Sequence, residues 1–104
     1  MTGVQTCALP IFIRVLKRLP RMASRHGVPL SVCGELASDP VMLALLVGLG
    51  LREFSMTPTA LPGAWRVLEE SDSRELTAVA REAAVTGSLA PVEAYVAGGS
   101  KVSP

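Results

Sequence analysis

Residues 29–56 read PLSVCGELASDPVMLALLVGLGLREFSM and hold a short apolar run, a longer apolar run and a short mixed segment. The short apolar run, residues 29–33, ends at a glycine, and the mixed segment, residues 52–56, predicts a second short strand and is followed by Thr57-Pro58. Short apolar runs bounded by glycine or proline are typical of buried strands. The middle run, residues 41–49, is apolar nearly all round and predicts a buried helix. Strand, helix and strand in this order predict a parallel sheet in an α/β fold.

The residues beside the middle run mark where its helix starts and stops. Asp39 is a favoured N-cap, Pro40 suits the first helical position, and Gly50 closes the helix. Two strands alone can neither close a sheet nor cover its faces. We therefore expect exposed strand edges and exposed apolar faces that need partners.

A helix is predicted on the amino-terminal side, over residues 12–26, with Pro20 as a possible kink and Gly27 as its stop. Its apolar residues recur at three- and four-residue spacing and predict one buried stripe. They are Phe12, Val15, Leu16, Leu19, Met22 and Ala23.

Three more helices are predicted towards the carboxyl end. Thr59 is the predicted cap of a helix that runs to about residue 70, and Asp72 caps a second one that stops at Gly87. Ser88 and Pro91 open the last helix. The predicted stripes are Leu76, Val79, Ala80 and Ala83 in the second and Val92, Tyr95 and Val96 in the third. Residues 98–104 are expected to fray, and Met42, Met56 and Trp65 are expected in the core.

The composition excludes several classes of protein. The chain has 104 residues, of which 49% are hydrophobic and 18% charged, so it is not intrinsically disordered. No apolar run reaches the roughly 20 residues of a membrane span. Two cysteines make neither a disulfide scaffold nor a four-cysteine zinc site.

The charges are unevenly distributed. Five of the ten basic residues lie before position 30, where there is no acidic residue. They form one face of the first predicted helix, which is compatible with nucleic-acid binding. No aromatic platform or recognition helix accompanies them, so we favour a solvated outer face and expect no nucleic-acid partner.

The first residues, 1–11, differ from the rest because they carry no charge and show no helical or strand period. A signal peptide would need a basic region ahead of its apolar stretch, and this segment has none. The segment resembles, codon for codon, the translation of a sequencing-library adapter. We therefore interpret residues 1–11 as an adapter-derived artefact.

Cys33 is the residue most suited to chemistry, because it ends a predicted strand at the edge of the sheet where α/β proteins bind ligands. A thiol there suits a nucleophile, a metal ligand or a general acid. His26 precedes the strand and Cys33 ends it, which disfavours a Cys-His pair, and with no partner cysteine a metal site is disfavoured too. A buried, inert cysteine remains the structural alternative.

Residues 31–40, SVCGELASDP, and 45–56, LLVGLGLREFSM, resemble the C-terminal barrel of phosphoenolpyruvate-protein phosphotransferases, the enzyme I family of the sugar phosphotransferase system. The resemblance extends from about residue 14 to about residue 96. The Cys-Gly-Glu core is also similar to that of pyruvate phosphate dikinases.

The resemblance implies a fold and a domain division. The chain would be the C-terminal part of a TIM (β/α)₈ barrel, comprising its last two βα units and terminal helices. Residues 12–70 would hold the βα units, and residues 71–104 the C-terminal helices and the tail. A complete barrel takes about 250 residues, so we expect this fragment to be inactive alone.

The resemblance also implies roles for individual residues. Cys33 matches the cysteine that protonates the enolate of pyruvate, and Gly34 and Glu35 would give turn geometry and support to the substrate site. The family's Mg²⁺ ligands would lie on earlier strands, so no metal ligand is expected in this chain. Asp39 and Glu53 are not expected to be ligands.

The partners implied by the resemblance are phosphoenolpyruvate or pyruvate, an HPr-type carrier reached through an N-terminal domain, and a second copy in a homodimer. A cytoplasmic location and no membrane association are expected. Two alternatives stay open: a stand-alone interaction or dimerisation module, and a small thiol-redox protein, which the lack of a Cys-x-x-C pair disfavours.

Overall fold

The computed structural model describes residues 2–33 and 35–98, with side chains from residue 10 onward. This part of the chain is mostly helical. Its helices are α1 (Thr2–Arg25), α2 (Glu35–Ser38), α3 (Pro40–Leu49), α4 (Leu61–Glu69), α5 (Ser73–Thr86) and α6 (Ala90–Ala97), with a 3₁₀ turn at Pro58–Ala60. Its strands are β1 (Val32–Cys33) and β2 (Phe54–Ser55).

The two strands pair in parallel, as the strand–helix–strand order predicts. Val32 lies opposite Phe54 and Cys33 opposite Ser55, and the Val32 amide donates a 2.9 Å hydrogen bond to the Glu53 carbonyl. The expectation of fully buried strands was wrong. Cys33 and Ser55 are exposed and their neighbours only half-buried, because no further strand or helix in the described residues covers both faces of this short sheet.

Helix α3 is the central element, and its predicted ends are confirmed. The Asp39 carboxylate accepts hydrogen bonds from the amides of Val41 (2.9 Å) and Met42 (3.4 Å). Gly50 ends the helix with a φ of 111°, which only glycine adopts without strain. Residues 42–46 are all buried, so the apolar character of this run reflects contacts on most of its sides.

The core lies between α3 and α5, where small residues let the two backbones approach closely. A Cβ atom on Gly48 would fall on the Leu76 carbonyl and 2.7 Å from the Ala80 Cβ. The predicted stripe of α5 is confirmed, with Leu76, Ala80 and Ala83 buried. Helix α6 adds Val92 and Tyr95 to the same core, also as predicted.

Helix α1 differs from the prediction in its length. It begins at Thr2, not at residue 12, and continues through Pro10 and Pro20. Extending an existing helix adds one hydrogen bond per residue without a new nucleation step, so a weak local pattern is sufficient.

Its buried face also differs from the predicted stripe. Ile13 and Leu16 are buried, whereas Phe12, Val15 and Met22 are exposed. The apolar surface of α1 is wider than the area that the other described residues cover. Periodicity alone therefore did not identify which side of the helix packs against the core.

Two predictions about α4 were wrong. Thr59 does not cap the helix: its hydroxyl lies 3.2 Å from that of Thr57, and the N-cap position is taken by Ala60 without a side-chain hydrogen bond. Trp65 is not in the core, because 67% of it is exposed. Together with Leu61 and Leu68, which are also exposed, it forms an apolar face on the outside of the helix.

The remaining helix ends follow the predicted signals. The Asp72 carboxylate accepts from the amides of Arg74 and Glu75, Gly87 closes α5 with a φ of 72°, and the Ser88 hydroxyl accepts from the Ala90 amide. The predicted fraying of the tail falls mostly on residues 99–104, which lie outside the described residues. In the part of the chain that is described, every helix is too short or too polar to cross a membrane.

Candidate functional site

Cys33 lies at the carboxyl end of β1, beside Ser55 at the carboxyl end of β2. Because the strands are parallel, both residues stand at the same edge of the sheet. The thiol is free and its residue is exposed. This position differs from that of a buried structural cysteine, and it makes the thiol accessible to a reacting molecule.

Helix α2 follows β1 after a single residue. Gly34 lies outside the described residues, and Glu35 begins the single turn of α2 with its side chain exposed. Ala37 is completely buried and fixes this turn to the interior. Asp39 then caps the start of α3. The exposed thiol lies at the carboxyl end of β1, ahead of α2 in the chain.

Among the described residues, no base is hydrogen-bonded to Cys33 to activate it as a nucleophile. The thiol has no hydrogen-bond partner among the described residues. His26 is exposed in the turn that follows α1, before β1 begins, so it lies at the other end of the strand. The arrangement disfavours a Cys-His nucleophile.

The carboxylates near the site do not form a metal centre. Asp39 uses its side chain as a helix cap, Glu35 stands exposed at the start of α2, and Glu53 is exposed just before β2. In the part of the chain that is described, no three His, Cys, Asp or Glu side chains come close enough to hold an ion. These residues do not fit a Mg²⁺ site, and we derive no metal-dependent step from them.

A second feature was missed at the level of sequence. Basic side chains from α1, from α5 and from the segment just before β2 line one cleft. They include Arg21 of α1, Arg81 of α5 and Arg52 of that segment. The spacing of the basic residues on α1 is visible in the sequence. The contributions of Arg52 and Arg81 depend on how three separate elements pack, which no local pattern reports.

Comparison with protein families gives one match that covers most of the chain. The family described as "PEP-utilising enzyme, PEP-binding domain" matches residues 5–73. The match begins within residues 1–11, and the adapter origin of that segment stays a prediction.

Individual relatives agree with this match. The chain is 54% identical over 52 residues to a phosphoenolpyruvate-protein phosphotransferase of Cupriavidus necator, an overlap of 50% of this chain and 9% of the relative. It is 35% identical over 87 residues to multiphosphoryl transfer protein 1 of Escherichia coli, covering 84% of this chain and 10% of that protein.

A third relative, a phosphoenolpyruvate-protein phosphotransferase of Chlamydia trachomatis, is 34% identical over 73 residues, which is 70% of this chain and 13% of the relative. The matched part of the chain thus spans about a tenth of the length of these relatives.

Proposed function

Because the chain belongs to the PEP-utilising enzymes through their PEP-binding domain, we propose that it forms the C-terminal part of a phosphoenolpyruvate-protein phosphotransferase. The enzyme moves the phosphoryl group of phosphoenolpyruvate to one of its own histidines, in a domain that precedes this one, and then to an HPr-type carrier protein. The match over residues 5–73 is the observation that carries this proposal.

Cys33 is the proposed general acid. When the phosphorus–oxygen bond of phosphoenolpyruvate breaks and a phosphorus–nitrogen bond forms at the histidine, the electron pair of the broken bond stays on the enolate of pyruvate. The Cys33 thiol gives its proton to the methylene carbon of that enolate, which completes pyruvate, and the resulting thiolate is reprotonated from water. In the reverse direction the thiolate removes a proton from the methyl group.

The geometry supports this role. Cys33 is exposed at the carboxyl end of a strand, which is where barrel enzymes place their catalytic groups. We propose that Gly34 and Glu35 support the substrate through the shape of the turn that follows. Ser55 of β2 is paired with Cys33 in the sheet, so the carboxyl end of the neighbouring strand lies beside Cys33.

The short sheet supports a place in a larger barrel. We propose that β1 and β2 are the last two strands of a TIM (β/α)₈ barrel, with residues 12–70 forming βα units and residues 71–104 the terminal helices. The half-exposed strands and the apolar outer face of α4 are what a barrel neighbour would cover.

The other properties of the longer enzyme are proposals of the same kind. Mg²⁺ would be held by side chains outside this chain, a homodimer would form through the barrel domain, and the enzyme would work in the cytoplasm. The 104-residue chain alone should form no pyruvate from phosphoenolpyruvate, since it offers neither a metal site nor a phosphohistidine segment among its described residues.

A chimera tests the role of Cys33. Residues 12–104 replace the matching end of the Cupriavidus enzyme, and two quantities are measured: phosphorylation of the carrier, and exchange of pyruvate methyl protons with deuterated solvent. We expect Cys33→Ala to slow the exchange by about a hundredfold or more. Ser31→Ala, an exposed change just before β1, is the matched control and should leave it unaltered.

Undiminished exchange in folded Cys33→Ala would exclude the thiol as the proton donor. A wild-type chimera that folds but transfers no phosphoryl group would contradict the proposed enzyme itself.

A stand-alone interaction module is the second candidate. It is favoured by the exposed apolar face of Leu61, Trp65 and Leu68. A purified 104-residue chain that is monodisperse, melts cooperatively and dimerises through this face would support the module. Aggregation of the isolated chain would support the barrel fragment instead.

A further inference from the structure

An open cleft of about 680 Å³ lies between α1, the carboxyl end of α3 and the middle of α5. Among the described residues, five cationic side chains line it and no aspartate or glutamate does. They are Lys17, Arg21, Arg25, Arg52 and Arg81. The cations come from three separate parts of the fold, namely α1, α5 and the segment between α3 and β2, and all five are exposed.

The positions of these cations follow from the helices that carry them. Lys17, Arg21 and Arg25 recur every four residues, so they share one face of α1. Arg81 projects from α5, which packs against α3 on the opposite wall. Gly48 and Gly50, at the end of α3, also line the cleft.

Arg52 is held in place by the end of α3. One of its terminal nitrogens donates 2.9 Å hydrogen bonds to the carbonyls of Val47 and Leu51. These contacts neutralise the partial negative charge at the carboxyl end of the helix. The remaining guanidinium hydrogens are left for a ligand.

The other four cations have no acidic partner among the described residues. In residues 10–33 and 35–98, Lys17, Arg21, Arg25 and Arg81 form no ion pair. Like charges gathered in a concave site repel one another, and a bound anion relieves that repulsion. Arginine is also the side chain best suited to pair with phosphate oxygens through two parallel hydrogen bonds.

We propose that this cleft binds a small polyanion that carries two or more phosphoryl groups. Its volume is that of a small-molecule site. No aromatic side chain in the described part of the chain lines it for stacking on bases, which disfavours a nucleic acid. The site is separate from Cys33: α3 starts beside the carboxyl ends of the strands and ends at Gly50, so the cleft lies towards their amino ends.

Calorimetric titration of the full chain with inorganic tripolyphosphate tests the proposal. We expect one saturable site, with orthophosphate binding at least about tenfold more weakly. The double variant Arg21→Gln/Arg81→Gln should weaken tripolyphosphate binding by at least about tenfold. The matched control is Arg14→Gln/Arg74→Gln, which removes the same charge from the same two helices outside the cleft and should change binding by less than about twofold.

Equal losses in the two double variants would show a general charge effect and overturn the proposal, as would no binding at low salt. Tighter binding of an acidic peptide of equal charge would also overturn it, because the cleft would then be a docking surface for protein. Thermal melting of both variants establishes that each is folded. None of these outcomes depends on the phosphotransferase activity.

Discussion

Gly48 of α3 and Ala80 of α5 are packed so closely that no side chain fits between their backbones. A Cβ atom added to Gly48 would stand 2.7 Å from the Ala80 Cβ and would overlap the Leu76 carbonyl. Neither neighbour is the end of a flexible side chain, so the contact can be relieved only by moving one helix. The separation of α3 and α5 is therefore set at this point.

We expect Gly48→Ala to lower the free energy of unfolding by about 2 kcal/mol, because overpacking forces a backbone shift. Denaturant titration followed by circular dichroism measures the change. Gly63→Ala is the matched control: Gly63 lies in α4 with nothing within 4 Å of its added Cβ, so the greater helix propensity of alanine should stabilise the chain by roughly 0.5 kcal/mol. Equal effects of the two variants would contradict the close packing of α3 and α5.

The sequence predicts the ends of the central helices well because those signals are local. The caps at Asp39 and Asp72 and the stop at Gly50 depend on hydrogen bonds within about four residues. The parallel pairing of β1 and β2 follows from the order of the elements. What periodicity could not decide is which apolar face is covered, since Met22 and Trp65 are exposed for lack of a neighbour in the described chain.

The contact between Pro10 and Gly87 gives a second prediction. Gly87 has a φ of 72°, and its added Cβ would stand 2.8 Å from the Cγ of Pro10, whereas Gly27 has a φ of 66° and open space. Gly27→Ala should therefore cost only its backbone strain, about 1 kcal/mol. We expect Gly87→Ala to cost at least about 1 kcal/mol more, because it also clashes with the proline ring.

Removing residues 1–11 isolates that clash. In the shortened chain the costs of Gly87→Ala and Gly27→Ala should become equal, as measured by chemical denaturation. A difference that persists without Pro10 would mean that the clash has another source. The same truncation shows how much stability the predicted adapter segment contributes.

The candidate site was predictable only in part, for a related reason. Cys33 stands out because it follows a strand and carries a family motif, and its role as a proton donor stays a prediction. The basic cleft needs Arg81 and Arg52 from elements far apart in the chain. Their convergence is a result of tertiary packing, which has no signature in any single window of sequence.

Trp65 provides a direct test of the outer face of α4. It is the single tryptophan of the chain and is 67% exposed, so we expect its fluorescence to resemble that of an unfolded peptide and to be quenched readily by acrylamide. Binding of a partner or a second copy to this face should shift the emission to shorter wavelength. Emission of a buried indole in the monomer would contradict the exposed position.

Tyr95 joins α6 to the start of α5, and its hydroxyl carries a pH-dependent contribution to stability. The hydroxyl accepts a 3.0 Å hydrogen bond from the Asp72 amide and donates one of 2.7 Å to Glu75 Oε1. Burial, helped by the hydrogen bond to Glu75 and its negative charge, raises the pKa of Tyr95. We expect Tyr95→Phe to lower the free energy of unfolding by about 1–2 kcal/mol at pH 7, because both hydrogen bonds are lost.

The direction of the pH effect follows from the raised pKa of Tyr95. The folded chain holds the phenol proton more tightly than the unfolded chain, whose tyrosine pKa is about 10. The contribution is therefore fully present below about pH 10 and declines as the pH rises through the folded-state pKa. Denaturant titrations from pH 7 to above pH 10 should show the wild type losing stability faster than Tyr95→Phe, so that the two curves converge. Parallel curves would mean that the hydroxyl does not lie in the network with Asp72 and Glu75.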